Sequence, residues 1–275
     1  MKRIHPGADW PESWRLSYAY DLLEVYGDRS NLGYTYAYEQ RRDRALELVA
    51  SVLAPGGSIL DIAAAQGNFS LALAERGYAV TWNDIRADLV DYVKMKYERG
   101  TIAYAPGNAF DLSFPRLFDA VLVTEIIEHV AHPDAFLAHV AKLVRPGGHI
   151  VMTTPNGKYF RNRLPRFSDC PDPSAFEALQ FKPNADGHIF LLHPDEIPPL
   201  AAAANLSLAA TSTFTTPLTA GHLKSRALLP KVPKAFVATA ERLACRLPAP
   251  FAERLMVQQS AIFDVPPLRD ATGGA

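Results

Sequence analysis

The stretch that most constrains the fold is SILDIAAAQG, residues 58–67. Ile59, Leu60, Asp61 and Ile62 form a short apolar run, and a run of that kind bounded by turn residues reads as a buried strand. Ala63, Ala64, Ala65 and Gly67 then leave almost no side-chain bulk where the chain has to turn, so a ligand can approach the backbone closely. Residues 68–76 follow as a helix, with Asn68 as its expected N-cap, Phe69, Leu71, Leu73 and Ala74 on its buried side and Gly77 as its stop. Strand, tight turn and helix make half of a nucleotide-binding βαβ unit.

The same alternation continues downstream. Residues 78–83 read as a second strand ending at Asp84, 87–99 as a helix, and 101–105 as a third strand. LFDAVLVT, residues 117–124, is apolar at nearly every position, as a central parallel strand buried on both faces should be. A helix over 134–144, an RPGG turn at 145–148 and a fifth strand at 149–154 complete a doubly wound α/β pattern. Two helices are expected upstream, over 11–27 and 35–53. In the second, Ala45, Leu48, Val49 and Val52 recur at helical spacing and are expected to pack on the sheet edge, with Arg41, Arg42, Arg44 and Glu47 on the other faces. The first is rich in aromatics, Trp10, Trp14, Tyr18, Tyr20 and Tyr26, which serve either as the packing of a cover helix or as a lid over a ligand.

The second half has a different texture. Residues 157–187 contain Pro165, Pro171, Pro173 and Pro183 with arginines at 161, 163 and 166, and a loop that long in a compact domain tends to be a lid or a substrate-binding segment. A capped helix entered at His193-Pro194, a strand over 207–215, a helical insert over 218–250 carrying Leu223, Leu228, Val232, Phe236, Val237, Leu243 and Leu247, and a closing strand over 255–264 follow. The resulting division is an N-terminal helical cover (1–54), a ligand-binding core (55–216), an insert with closing strand belonging to the same domain (217–265) and a flexible tail (266–275).

Lys and Arg number 28 against 29 Asp and Glu, so there is no global positive field of the kind sequence-independent nucleic-acid binding relies on, and a nucleic-acid partner is not favoured. The N-terminus has Lys2 and Arg3 but no apolar stretch after them, and nowhere do about 18 uncharged apolar residues run together, so neither secretion nor a membrane span is expected. Cys170 and Cys245 are far apart and lack metal-type spacing, which fits reduced thiols in a cytoplasm.

Chemistry-bearing residues fall at the expected strand ends. Asp84, about 20 residues beyond the first turn, stands where a carboxylate can accept bonds from both ribose hydroxyls. Asn108 and Asp111 follow the third strand, the edge at which open α/β sheets bind ligands. After the fourth strand comes Glu125-x-x-Glu128-His129. Two carboxylates with neutral imidazoles suit a hard or borderline divalent ion; alternatively His129 acts directly as general base or caps a helix. His132, His139, His149 and His193 read as surface, packing or helix-entry residues.

In order and spacing these parts resemble the class I S-adenosylmethionine-dependent methyltransferases, of the methyltransferase type 11/23 group, over roughly residues 40–215. Asp61-x-Ala63-x-Ala65-x-Gly67 stands where that family has an acid followed by alternating glycines, Asp84 at its ribose acid, Asn108-Ala109 at its adenine-flanking pair, FDAVLVTEIIEHV at its strand-four motif and LVRPGGHIVMTTPN at its strand-five motif. The resemblance implies a seven-stranded Rossmann-like methyltransferase sheet whose last strand is antiparallel. It implies S-adenosyl-L-methionine as cofactor, held by Asp61, Ala63, Ala65, Gly67, Asp84, Asn108, Ala109 and Glu125. The acid-histidine run resembles both the metal-dependent ubiquinone-biosynthesis O-methyltransferases and the small-RNA terminal 2′-O-methyltransferases; with His188 added, Glu125, Glu128, His129 and His188 are the implied ligands for Mg²⁺, and His129 and Glu128 the implied catalytic pair. The expected activity is methyl transfer to a hydroxyl of a small organic, lipid-linked or glycan acceptor. RNA 2′-O-methylation and a non-catalytic adenosyl-binding role are the alternatives, the latter because Ala63 and Ala65 replace two glycines.

Overall fold

A computed structural model describes residues 1–180, 187–222 and 224–267; Pro183, Asp186, Leu223 and residues 268–275 of the expected tail lie outside the described residues. The chain enters through α1 (Glu12–Glu24) and α2 (Leu32–Val52), then alternates β1 (Ser58–Ile62), α3 (Asn68–Glu75), β2 (Ala79–Trp82), α4 (Leu89–Lys96), β3 (Thr101–Tyr104), β4 (Phe118–Thr124), α5 (Pro133–Ala141) and β5 (Val144–Pro155). It continues through α6 (Ile197–Ala203), β6 (Ser207–Phe214), α7 (Lys234–Ala244), α8 (Ala249–Leu255) and β7 (Gln258–Asp264). The strands form one sheet in the order β3-β2-β1-β4-β5-β7-β6, with β7 antiparallel to both neighbours and the other pairs parallel. The doubly wound seven-stranded sheet expected from the sequence is the one observed.

Alternation along the strands splits the core into two layers. Ile59, Ala120, Leu122, Val151 and Ile262 share a cluster with Ala45, Leu48 and Val49 of α2 and Leu73 of α3. Their strand neighbours Leu60, Ile62, Val121, Val123, Ile150 and Met152 pack instead with Phe136, Leu137 and Val140 of α5 and with Ile197 and Leu200 of α6. This is the two-residue period of a pleated strand, apolar on both phases because helices cover both faces. The expectation that α2 lies on the sheet edge is corrected here: its apolar stripe meets β1, β4, β5 and β7 across the middle of one face. The RPGG segment is a bulge inside β5, since pairing with β4 passes from Phe118–Val144 directly to Ala120–His149.

The turn after β1 carries its own constraint. Gly67 has φ 74°, and a Cβ there would lie 2.7 Å from Val93 Cγ1, so both conformation and space demand glycine. Gly67, not Asn68, is the N-cap of α3. The Asn68 side chain is instead buried in a polar network: its amide donates to Asp21 (2.7 Å) and Glu24 (2.8 Å) of α1, and its carbonyl accepts from Lys96 Nζ (2.5 Å). Lys96 also donates to Asp21 (2.5 Å) and to the Gln66 carbonyl (3.0 Å), and Tyr92 donates to Asp21 (2.6 Å). Asp21 and Lys96 are both fully buried, and burial pushes the Lys96 pKa down against the pull of Asp21. The pair ties α1, the β1–α3 turn and α4 together. Among the described residues no helix is long and apolar enough to cross a membrane.

Removing one member of a buried pair leaves the other charge uncompensated, at a cost of about 3–5 kcal/mol. Lys96→Met is therefore expected to destabilise the protein by that amount in urea denaturation, and Lys96→Met combined with Asp21→Asn to cost less than the single substitution. A single-variant loss below about 1 kcal/mol would contradict the role assigned to the pair.

Candidate functional site

Sheet order reverses between β1 and β4: β2 and β3 are laid down on one side of β1, and β5 onward on the far side of β4. Chains leaving the carboxyl ends of β1 and β4 diverge, and the crevice between them is where open α/β sheets bind ligands. A cavity of about 670 Å³ occupies that crevice. Its wall is built from four strand ends: Ile62, Ala63, Ala65 and Gln66 after β1; Asn83, Asp84, Ile85 and Arg86 after β2; Asn108, Ala109 and Phe110 after β3; Glu125, Ile126, His129 and Val130 after β4. Leu16, Ser17, Tyr20 and Glu24 of α1 and Tyr34 of α2 also line it. The aromatics of the N-terminal region divide between packing and cavity lining. Trp10, Trp14 and Tyr18 pack with Tyr92 as cover, and Tyr20 and Tyr34, 6.0 Å apart, face the cavity.

The β1–α3 turn reaches the cavity with Ala63 at φ 51° and Ala65 at φ 49°. Both adopt the left-handed conformation that glycine takes without strain, at a cost of about 1–2 kcal/mol each for an L-residue. Asp84 secures this turn. One carboxylate oxygen accepts from the Ala65 amide (2.8 Å) and from Arg86 Nη2 (3.1 Å); the other accepts from the Arg86 amide (2.9 Å) and Nε (3.0 Å). The expected ribose acid is therefore buried and clasped by Arg86, whose side chain is itself about one-third exposed and has room to leave. Asn108 is engaged with Asp111 (3.0 Å) and the Phe110 amide (3.2 Å), beside the buried Ala109.

Asp61 ends β1 fully buried. Ser70 Oγ donates to one of its oxygens at 2.5 Å while the other has no hydrogen-bond partner among the described residues, and burial, with the Asp84 charge adding to it, pushes its pKa up to about 7. Glu24 accepts from Tyr34 (2.6 Å), Gln66 (2.9 Å) and Asn68 (2.8 Å), yet burial still raises its pKa. Both carboxyls are raised by burial, and a positive charge brought beside them would favour their ionised form.

On the opposite wall, Glu125 sits at φ 53° and is held by Arg41 (3.1 Å), Thr153 (3.1 Å) and Gln258 (3.3 Å). Glu128 lies in the 3-10 turn Ile127–His129, fully buried. Thr154 donates to one of its oxygens (2.9 Å) and the other has no hydrogen-bond partner among the described residues; burial, then the neighbouring Glu125 charge, push its pKa well above the ordinary carboxylate range. His188 is brought in from a distant part of the chain because the Ile189 amide donates to the Glu128 carbonyl (2.7 Å) and Ile189 and Phe190 pack with Ala131. The His129 and His188 rings come to 4.9 Å, edge to face. Glu128, His129 and His188 each offer one ligand atom within 4.8 Å of the others. The structure thus groups three of the four expected metal ligands, whereas Glu125, expected as the fourth, is committed to Arg41.

Several wall residues escaped the sequence reading. Ile85, 51% exposed beside Asp84, presents an apolar surface where a flat ring can lie, and Phe110 stands next to Ala109. Their positions directly after residues already singled out were the available signal. For Glu24, Gln66 and Arg41 no local pattern marks them, because their partners come from other elements.

A family model described as a methyltransferase domain matches residues 34–211, well over half of the chain. Among curated proteins, the chain is similar to the ubiquinone biosynthesis O-methyltransferase of Xanthomonas campestris pv. campestris (strain B100), 33% identical over 113 residues, 40% of this chain and 47% of that protein. It is also similar to the demethylmenaquinone methyltransferase of Tropheryma whipplei (strain Twist), 30% identical over 166 residues, 55% of this chain and 69% of that protein. The match thus spans about half the length of the ubiquinone relative. Solved structures of like fold include magnesium protoporphyrin IX methyltransferase from Synechocystis PCC 6803 (TM-score 0.54, 14% identity, 92% of this chain and 93% of that one). Haemonchus contortus phosphoethanolamine N-methyltransferase 2 is another (TM-score 0.57, 16% identity, 92% of this chain and 57% of that one).

Two outcomes follow from the left-handed alanines and the buried acid. Ala65→Gly relieves backbone strain but adds freedom to the unfolded chain, so its stability is expected to stay within about 1 kcal/mol of the parent in urea denaturation. Asp61 binds its proton more tightly folded than unfolded, so its contribution to stability is full below about pH 4 and is lost as pH rises through about 7. Asp61→Asn is expected to flatten the stability–pH curve between those values; an unchanged slope would contradict the raised pKa.

Proposed function

This chain belongs to the class I S-adenosylmethionine-dependent methyltransferase family, and from that premise we propose that it transfers a methyl group from adenosylmethionine to a hydroxyl of a small organic, lipid-linked or glycan acceptor. The observation that carries this reading is the shared cavity: His129, with Glu128 and His188 grouped around it, lines the same crevice as the Ala63–Gln66 turn. Adenosylmethionine supplies an electrophilic methyl on a cationic sulfonium. In this reading Asp61 and the backbone of Ala63, Ala65 and Gly67 hold its methionine end, the carboxyls of Asp61 and Glu24 favouring the positive charge. Asp84 takes the ribose once Arg86 releases it, Asn108 and Ala109 flank the adenine, and Glu125 is held by Arg41 at the cofactor side of the cavity.

Proton removal from the acceptor falls to the His129 wall. The orphaned Glu128 oxygen and the two imidazoles fit a divalent ion such as Mg²⁺, which when bound lowers the pKa of a coordinated hydroxyl. His129, which reaches the cavity with its Nδ1 3.2 Å from the Gly187 carbonyl, orients the acceptor hydroxyl, and Glu128 beside it completes the catalytic pair. Much of the acceleration in such a displacement comes from holding nucleophile and methyl in line and close.

A second reading, a non-catalytic adenosyl-binding protein, draws on Arg86 clasping Asp84 and on the alanines in the turn. It requires cofactor binding without transfer to any acceptor. Isothermal titration is expected to show adenosylmethionine binding, weakened at least tenfold in Asp84→Asn while circular dichroism shows the protein still folded; a folded protein with no affinity would end both readings. With labelled cofactor and an acceptor panel, turnover is expected to collapse in excess EDTA and to return with Mg²⁺. Undiminished turnover in EDTA would assign proton removal to His129 alone.

A further inference from the structure

We propose that the segment between β6 and β7 is a docking surface for an anionic lipid bilayer. The proposal does not depend on methyl transfer.

In α7 the inward side chains are Val237 and Glu241. Phe236 and Leu243, seven residues apart and therefore on one side of the helix, are left 61% and 60% exposed, Leu247 follows in the turn, and Phe251 on α8 is 67% exposed. Monomeric soluble surfaces scatter such side chains singly, whereas these crowd into about sixteen residues of chain. The same segment is strongly basic. Residues 224–256 hold seven Lys or Arg against two acids, in a chain whose net charge is −1. Neither acid offsets the patch: Glu241 turns inward to accept from the Thr216 amide (2.9 Å) and Thr219 Oγ1 (2.6 Å), and Glu253 is paired with Lys158 (2.6 Å). Lys234 is matched by Glu39 (2.8 Å), but Lys231, Arg242, Arg246 and Arg254 stay exposed and form no ion pair among the described residues.

Large apolar side chains rimmed by cations suit the headgroup boundary of an anionic membrane, where the rings and aliphatic chains enter the acyl region and the cations meet phosphate. A second copy of this chain suits the surface poorly, because a two-fold contact would set like charges against each other. The surface is also fixed to the cavity wall. Val237 packs with Leu32 and Tyr36, and a Cβ on Gly33 would lie 2.7 Å from the Gly221 Cα, so the root of the segment presses on the first turn of α2 beside cavity-lining Tyr34.

The test is co-sedimentation of the full chain with phosphatidylglycerol-containing and pure phosphatidylcholine vesicles at low and physiological salt. Partitioning at least tenfold stronger onto anionic vesicles is expected, weakening with salt. Phe236→Ser with Leu243→Ser, and separately Arg242→Glu with Arg246→Glu, should each cut it at least tenfold while circular dichroism and adenosylmethionine binding stay unchanged. Equal binding to both vesicle types, or variants that partition like the parent, would overturn the proposal. So would a concentration-dependent dimer that the same variants abolish in a protein indifferent to vesicles.

Discussion

A lysine and an aspartate, both wholly withdrawn from water, set the geometry on which the rest depends. Lys96 comes from the end of α4 and Asp21 from the last turn of α1, and between them lie the Gln66 carbonyl of the turn after β1 and the Asn68 side-chain amide at the start of α3. An ion pair in that position gains little stability over an apolar pair of similar volume, since removing both charges from water is costly. Its effect is directional. Each donor and acceptor in the network has a specific partner, so α1 can close over the turn in one register only.

The cavity that results is electrostatically incomplete. Asp61 and Glu24 on one side and Glu128 on the other have pKa values raised first by burial, and Asp61 and Glu128 each leave an oxygen without a hydrogen-bond partner among the described residues. Such groups cost stability in the empty protein and become favourable when a positive charge arrives, which is how a site trades fold stability for ligand selectivity. Arg41 and Arg86 are placed differently, each already paired to a carboxylate.

The strands and their ends were legible because apolar runs, small-residue turns and acids at strand termini are local patterns. Asp84, Asn108, Ala109 and His129 accordingly line the cavity, and Glu128 and His188 meet beside it. What was illegible is whatever depends on a distant partner. Periodicity gave α2 an apolar stripe but not the strands it would cross. Asn68 has the right chemistry for an N-cap and is used as a buried bridge, since Gly67 alone tolerates the turn. Arg41 looked like a solvated residue on a helix flank, yet it meets Glu125, 84 residues away, and Glu125 stands outside the Glu128–His129–His188 group.

The place of β7 bears on how the protein is made. It is the last described strand to be synthesised, yet it lies between β5 and β6, and its Gln258 donates to Glu125. A nascent chain therefore emerges with the β5 edge open and β6 with no strand to join, a period in which unpaired backbone invites association with other chains. The cavity wall is finished only when residue 258 has cleared the ribosome, so the first βαβ unit does not assemble this site alone.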